Sequence, residues 1–177
     1  MARVLVTGGV RSGKSRYAEA LVDASAPAIY LTPGFPADPA ADPEWAARVR
    51  AHQARRPAGW RTVETLDLAT EISAAESPVL VDCLGVWVTR LLDSWQAWSA
   101  DPSAWGNDFD TEVSRLVKAV ARCPQVVLVT NEVGWGLVSE HRSGRLFADQ
   151  LGRVNQAVAA ACDQVVLLIA GRPLTLS

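Results

Sequence analysis

The stretch Gly8-Gly9-Val10-Arg11-Ser12-Gly13-Lys14-Ser15 constrains this chain more than any other. It follows the apolar run Val4-Leu5-Val6 and precedes a segment of helical character, residues 16–22. Gly8, Gly13, Lys14 and Ser15 stand at the spacing of a phosphate-binding loop set between a strand and a helix. Each place has a chemical reason. Glycines let the backbone turn tightly enough for its N–H groups to point at phosphate oxygens. Lys14 supplies a point charge to the β- and γ-phosphates, and the Ser15 hydroxyl supplies a ligand to Mg²⁺. The helix that follows turns its N-terminal dipole toward the same negative charge. The motif implies a nucleotide's phosphates and leaves the nucleotide and the reaction open.

The rest of the chain alternates strand and helix patterns. Buried strands are expected at residues 2–7, 28–32, 60–65, 79–82, 126–130 and 165–170, with an edge strand at 174–176. Helices are expected at 13–24, 44–56, 68–75, 84–95 and 142–162. A further amphipathic helix follows from Phe109, Val113, Leu116, Val117 and Val120, whose spacing repeats one face. Pro33, Gly34, Pro36, Pro39 and Pro43 make 33–43 a loop. Loops are also expected at 96–107, which holds Pro102 and Gly106, and at 131–141, with a turn at 171–173. Such alternation implies a mostly parallel sheet covered on both faces. The expected fold is therefore an α/β three-layer sandwich of the P-loop NTPase type, one domain over residues 1–177.

Composition narrows the partners. A net charge of −2 with no basic block argues against a nucleic-acid backbone as the main partner. No apolar run approaches the length of a membrane span, and the N-terminal residues lack the organisation of a signal peptide. Cys83, Cys123 and Cys162 form no C-x-x-C pair, so they read as small buried residues of a reduced, cytoplasmic protein rather than metal ligands. Seven tryptophans in 177 residues is a high count, and some are expected at a ligand site or subunit interface.

Outside the loop, four places carry candidate chemistry. Asp82 ends an apolar strand, where a carboxylate either reaches Mg²⁺ or caps the next helix. His52 lies near the end of a helix, followed by Arg55, Arg56 and Pro57. A histidine so placed either attacks phosphorus or steadies a transferring phosphate, unless it serves only packing. Glu64 is a ribose or base ligand or an exposed carboxylate. Asn131-Glu132 follows a strand at the same sheet edge as the phosphate loop, where open α/β sheets bind ligands, and is a candidate for the second substrate. His141 reads as a solvated loop residue.

Taken together the chain resembles the bifunctional adenosylcobinamide kinase/adenosylcobinamide-phosphate guanylyltransferase family of cobalamin biosynthesis, nearly end to end. The resemblance rests on the segment Thr7 through Arg16, on His52 through Pro57 with Trp60-Arg61-Thr62-Val63-Glu64, and on Val81-Asp82-Cys83-Leu84. It continues in Val88-Thr89-Arg90-Leu91-Leu92. Its most specific blocks are Thr130-Asn131-Glu132-Val133-Gly134-Trp135-Gly136-Leu137-Val138 and Gly152-Arg153-Val154-Asn155-Gln156, which no general P-loop pattern demands.

The resemblance implies two reactions. A nucleoside triphosphate, GTP or ATP, phosphorylates the aminopropanol hydroxyl of adenosylcobinamide. GTP then passes GMP through a histidine to adenosylcobinamide phosphate. By motif match His52 is the guanylylated residue and the loop from Gly8 to Ser15 holds GTP. Thr32, Pro33, Gly34, Gln53, Ala54, Arg55, Arg56, Glu64 and Asp82 line the nucleotide site, and a homotrimer is implied. Thr32-Pro33-Gly34 departs from the usual Ala-Thr-Ala, Asp82 replaces a glutamate of some members, and Ala51 and His141 differ from the common residues. The alternatives are a guanylyltransferase without kinase activity, another small-metabolite P-loop kinase, and a nucleotide-switched binding protein.

Overall fold

A computed structural model describes residues 2–176, without the side chains of Trp45 and Arg48. Its strands are β1 (Arg3–Gly8), β2 (Ala28–Thr32), β3 (Trp60–Glu64), β4 (Val79–Asp82), β5 (Val126–Val129), β6 (Gln164–Ile169) and β7 (Arg172–Thr175). The helices are α1 (Lys14–Ala20), α2 (Pro43–Gln53), α3 (Leu68–Ser73), α4 (Leu84–Ser94), α5 (Gly106–Arg122) and α6 (Arg142–Ala159). The strands form one 7-stranded sheet in the order β3-β2-β4-β5-β1-β6-β7. Every neighbouring pair is parallel except β6 with β7. This is the α/β architecture the alternation implied.

The central strands are short and almost wholly apolar because both faces are covered. On one face α3, α4, α5 and α6 bury Trp87, Leu92, Phe109, Leu116, Leu151 and Val154 against Leu5, Leu31, Val81 and Leu128. Each such side chain contributes roughly 1.5–3 kcal/mol. The Trp87 indole N–H donates to the Leu66 carbonyl at 2.9 Å, and the Asp67 carboxylate caps α3 by accepting from Thr70 N at 3.2 Å, whereas the buried Trp105 indole N–H has no partner among the described residues. The other face is thinner. There α1 brings Ala18, with Val22 just beyond it, onto Val6, Leu80 and Val129.

Several boundaries differ from the sequence reading. The first helix stops at Ala20 and the last at Ala159, short of the expected 24 and 162. The α2 helix takes Pro43 as its first residue and ends at Gln53, so Arg55 and Arg56 lie beyond it. Residues 96–107 are not all loop: Pro102–Ala104 is a 3₁₀ turn with Asp101 as its cap, and α5 already begins at Gly106. Gly106 was read as a breaker, but at the first position of a helix its missing side chain costs little. The expected turn at 171–173 is instead a two-residue turn, Ala170 (φ 50°) and Gly171 (φ 78°), with Ile169 paired to Arg172. Two positive φ values match the right-handed twist of a hairpin. Pro173 misled the reading because it lacks an N–H, yet an edge strand tolerates it.

Candidate active site

The carboxyl ends of β1, β4, β2 and β3 deliver Gly8, Asp82, Thr32 and Glu64 to one edge of the sheet. A cleft of ≈ 980 Å³ opens there. Its wall includes Val10, Arg11, Ser12, Gly13, Lys14 and Ser15 from the phosphate loop and His52, Gln53, Arg55 and Arg56 from the end of α2 and just past it. Thr32, Gly34, Glu64 and Asp82 complete the set foreseen from sequence.

Four expected residues, Gly8, Gly9, Pro33 and Ala54, are not part of that wall. Gly8 (φ 149°) has no room for a side chain, since a Cβ would meet the Leu168 carbonyl oxygen at 2.5 Å. The Gly9 carbonyl accepts a hydrogen bond from Lys14 Nζ at 2.7 Å. Pro33 is buried and its carbonyl faces Arg90, while Ala54 is exposed. The Arg90 guanidinium holds the Gly34 carbonyl at 2.9 Å, so α4 fixes the backbone of the β2 loop. Its role was not foreseen.

The phosphate loop is held from outside as well as by its own turn, Ser12 N to Gly9 O at 3.3 Å. The Gly171 N–H of the β6–β7 turn donates to Ser12 O at 2.9 Å, and Glu132 N donates to Gly8 O at 3.1 Å. No side chain caps α1, whose N-cap is the left-handed Gly13 (φ 96°). Lys14 is only 8% exposed. Burial lowers its pKa from that of a free lysine, with Cys83 and Asp82 opposing. A desolvated ammonium held by a carbonyl is suited to gain a strong partner in phosphate.

Asp82 does not cap α4, whose N-cap Cys83 makes no side-chain bond. Its Oδ2 instead accepts from the buried Tyr30 hydroxyl at 2.8 Å and lies 3.7 Å from His52 Nδ1. The Tyr30 phenol is held well above its ordinary pKa by burial and by Asp82. Arg55 Nη2 reaches His52 Nδ1 at 3.3 Å, and the same guanidinium makes two 3.2 Å bonds to Glu19 of α1. Arg56 sits over the Tyr30 ring, Cζ 3.7 Å from its centroid, and donates to Thr62 Oγ1 at 2.9 Å. Its buried Nε has no hydrogen-bond partner among the described residues. Burial and Asp82 push the Cys83 thiol up to about 11, so it is no nucleophile at neutral pH.

Asn131 also lines the cleft, as its place after β5 implied. Asn155 of α6 secures it: Thr130 Oγ1 donates to Asn155 Oδ1 at 2.6 Å, and Asn155 Nδ2 donates to Asn131 O at 3.0 Å. The two sequence blocks that no P-loop pattern explains thus meet in one hydrogen-bond network. The tryptophan expectation fails for the cleft, since none of its described wall residues is a tryptophan. Trp60, Trp87 and Trp105 are core residues, whereas Trp135 is 72% exposed. The cysteines are free; Cys123 is buried and the other two half-buried.

Fold and cleft together define a P-loop nucleotide-binding protein of the α/β class. The chain of a type III secretion ATPase from pathogenic bacteria shares the fold, with a TM-score of 0.54 at 12% identity over 93% of this chain and 50% of that one. The chain belongs to the cobinamide kinase/cobinamide phosphate guanyltransferase family, whose model matches residues 4–176. Among curated relatives, the bifunctional adenosylcobalamin biosynthesis protein CobU of Salmonella typhimurium is 44% identical over 95% of this chain and 96% of its own. CobU of Escherichia coli is 42% identical over the same shares, and CobP of Pseudomonas aeruginosa is 39% identical over 98% and 96%.

Proposed function

We infer that this chain carries out both reactions named by its family, on adenosylcobinamide and then on its phosphate. In the first, the aminopropanol hydroxyl oxygen attacks the γ-phosphorus of ATP or GTP, the nucleoside diphosphate leaves, and the hydroxyl proton passes to solvent or a nearby base. In the second, a ring nitrogen of His52 attacks the α-phosphorus of GTP and pyrophosphate leaves. A phosphate oxygen of the acceptor then displaces His52, giving adenosylcobinamide-GDP. Lys14 and the loop N–H groups from Gly8 to Ser15 neutralise and orient the phosphates in both. Thr32, Gly34, Gln53, Arg55, Arg56 and Glu64 surround the nucleotide, with Pro33 and Ala54 as their chain neighbours.

Ser15 and Asp82 would hold Mg²⁺. One hydroxyl and one carboxylate on the same cleft suit an ion that keeps most of its shell as water and phosphate oxygen. Bound there, the ion would offset charge building up on the transferring phosphate. The unit acts as a single domain over residues 1–177. A homotrimer accords with the family and with apolar surface at Val133, Trp135, Leu137 and Val138, all exposed. A cytoplasmic site accords with free cysteines and with the finding that no helix is long and apolar enough to cross a membrane among the described residues.

The observation that carries this reading is His52 in the wall of the same cleft as Lys14. GTP labelled at the α-phosphate, incubated with the protein and Mg²⁺, should leave acid-labile, alkali-stable label on the chain, and none on His52→Ala. Label absent from a protein that still binds GTP would overturn it. Transfer of γ-label to adenosylcobinamide checks the kinase half separately.

A further inference from the structure

Tyr30 belongs to no phosphate-binding motif, and in sequence it is one more large residue in a buried strand. In the fold it sits in the middle of β2, 1% exposed, with the cleft above its hydroxyl. A buried tyrosine in a parallel strand ordinarily needs only some partner for its O–H. This one serves two charged residues at once. Its hydroxyl donates to Asp82 Oδ2 at 2.8 Å. Its ring face carries the Arg56 guanidinium, 3.7 Å from centroid to Cζ. Trp60 backs the ring at 6.4 Å, which limits how far it can tilt.

We propose that Tyr30 is the positioning residue of the nucleotide cleft, fixing Asp82 with its hydroxyl and Arg56 with its ring. The inference rests on Asp82 being the cation-facing carboxylate and names what holds it there.

The geometry makes the assignment specific. With Oδ2 engaged by Tyr30, the carboxylate cannot rotate freely about its Cβ–Cγ bond, and Oδ1 is the oxygen left for a ligand. The same Oδ2 lies 3.7 Å from His52 Nδ1, so the hydroxyl also fixes the carboxylate that His52 faces. Arg56 is constrained likewise. Thr62 takes one Nη and Tyr30 takes the flat face, while the buried Nε keeps an unused N–H. A guanidinium pinned on its face and at one corner presents its free edge in one direction, which suits a phosphate oxygen. A tyrosine does both tasks where phenylalanine does one and leucine does neither.

The test separates these tasks with Mn²⁺ as the spectroscopic probe, read by electron paramagnetic resonance in the presence of GTP. Tyr30→Phe keeps the ring and removes the hydroxyl. It should weaken Mn²⁺ binding to the protein–GTP complex about tenfold while leaving GTP affinity without metal within about twofold. Tyr30→Leu should weaken metal-free GTP binding as well, because Arg56 loses its platform. The Tyr30→Phe change should have no further effect on Mn²⁺ in an Asp82→Asn background. A residue that merely stabilises the strand would lower the melting temperature but would not show that background dependence.

Unchanged Mn²⁺ binding in Tyr30→Phe, with Asp82→Asn weakened, overturns the inference and leaves the Asp82 reading intact. Unchanged binding in Asp82→Asn itself overturns the Asp82 reading. An effect of Tyr30→Phe that persists in full on Asp82→Asn also overturns the inference, since it would not pass through the carboxylate.

Discussion

His52 Nδ1 faces Asp82 Oδ2 across 3.7 Å, on the wall of the cleft that the phosphate loop closes. The approach is too long for a hydrogen bond. It leaves the imidazole between a carboxylate and Arg55, whose Nη2 is 3.3 Å from the same nitrogen. Arginine only donates, so this contact turns the Nδ1 lone pair toward Arg55 and puts the ring proton on Nε2. Attack through Nε2 would therefore require the ring to leave Arg55 and its proton to move from Nε2 to Nδ1, where Asp82 is the carboxylate within reach.

Removing that competing contact gives the first prediction. Arg55→Ala should raise the rate of guanylyl-histidine formation at saturating GTP about three- to tenfold, measured by single-turnover labelling with α-labelled GTP. The accompanying loss of the Glu19 pair should lower stability by less than about 1 kcal/mol, because Arg55 is exposed at the surface. A rate identical to wild type would show that the Arg55 contact does not hold the imidazole.

The loop after β5 offers a second. Asn155→Ala leaves the buried Thr130 hydroxyl without its acceptor and frees the Asn131 carbonyl. Stability should fall by about 1–3 kcal/mol in urea unfolding. Guanylylation of His52 by GTP should persist, while KM for adenosylcobinamide phosphate rises. Equal loss in both half-reactions would show that this loop does not act on the acceptor.

How much of this was visible beforehand follows from the physics of each residue. The phosphate loop was legible because its chemistry needs fixed residues at fixed spacing along the chain. Asp82 and His52 were legible as candidates, the first from its place at a strand end and the second through family resemblance. Tyr30 and Arg90 were not, since their partners lie 52 and 57 positions away and only the sheet order brings them together. A usable signal existed for Tyr30: a phenol between Ile29 and Leu31 in a buried strand must find a partner. The ends of α1 and α6 were placed too late because residues able to stay helical, Leu21-Val22 and Ala160-Ala161, follow both, and helix ends are the least determined part of such a reading.

The third prediction concerns acid. Asp163, at the turn into β6, receives Arg3 N at 2.9 Å and Arg3 Nε at 3.1 Å, and these bonds pull its carboxyl from 3.8 down to about 2. A depressed carboxylate stabilises the fold above its unfolded value and loses that contribution as pH falls through the folded one. Wild type should therefore exceed Asp163→Asn in urea midpoint above about pH 4, with the gap closing toward pH 2. A gap that is constant across this range would remove the carboxylate from the acid response.

The two-residue turn between β6 and β7 fixes an order in time as well as a shape. Gly171 N–H completes the bracing of Ser12, and a Cβ on Gly13 would come within 3.3 Å of Gly171 Cα. Residues 8–15 leave the ribosome early but rest on a hairpin made on the order of ten seconds later, at about 5–20 residues per second. A nascent chain carrying the whole phosphate motif therefore lacks its outer brace until translation passes Gly171. The loop that holds phosphate is thus anchored at both ends of the chain's synthesis, its geometry complete only when the last hairpin closes against it.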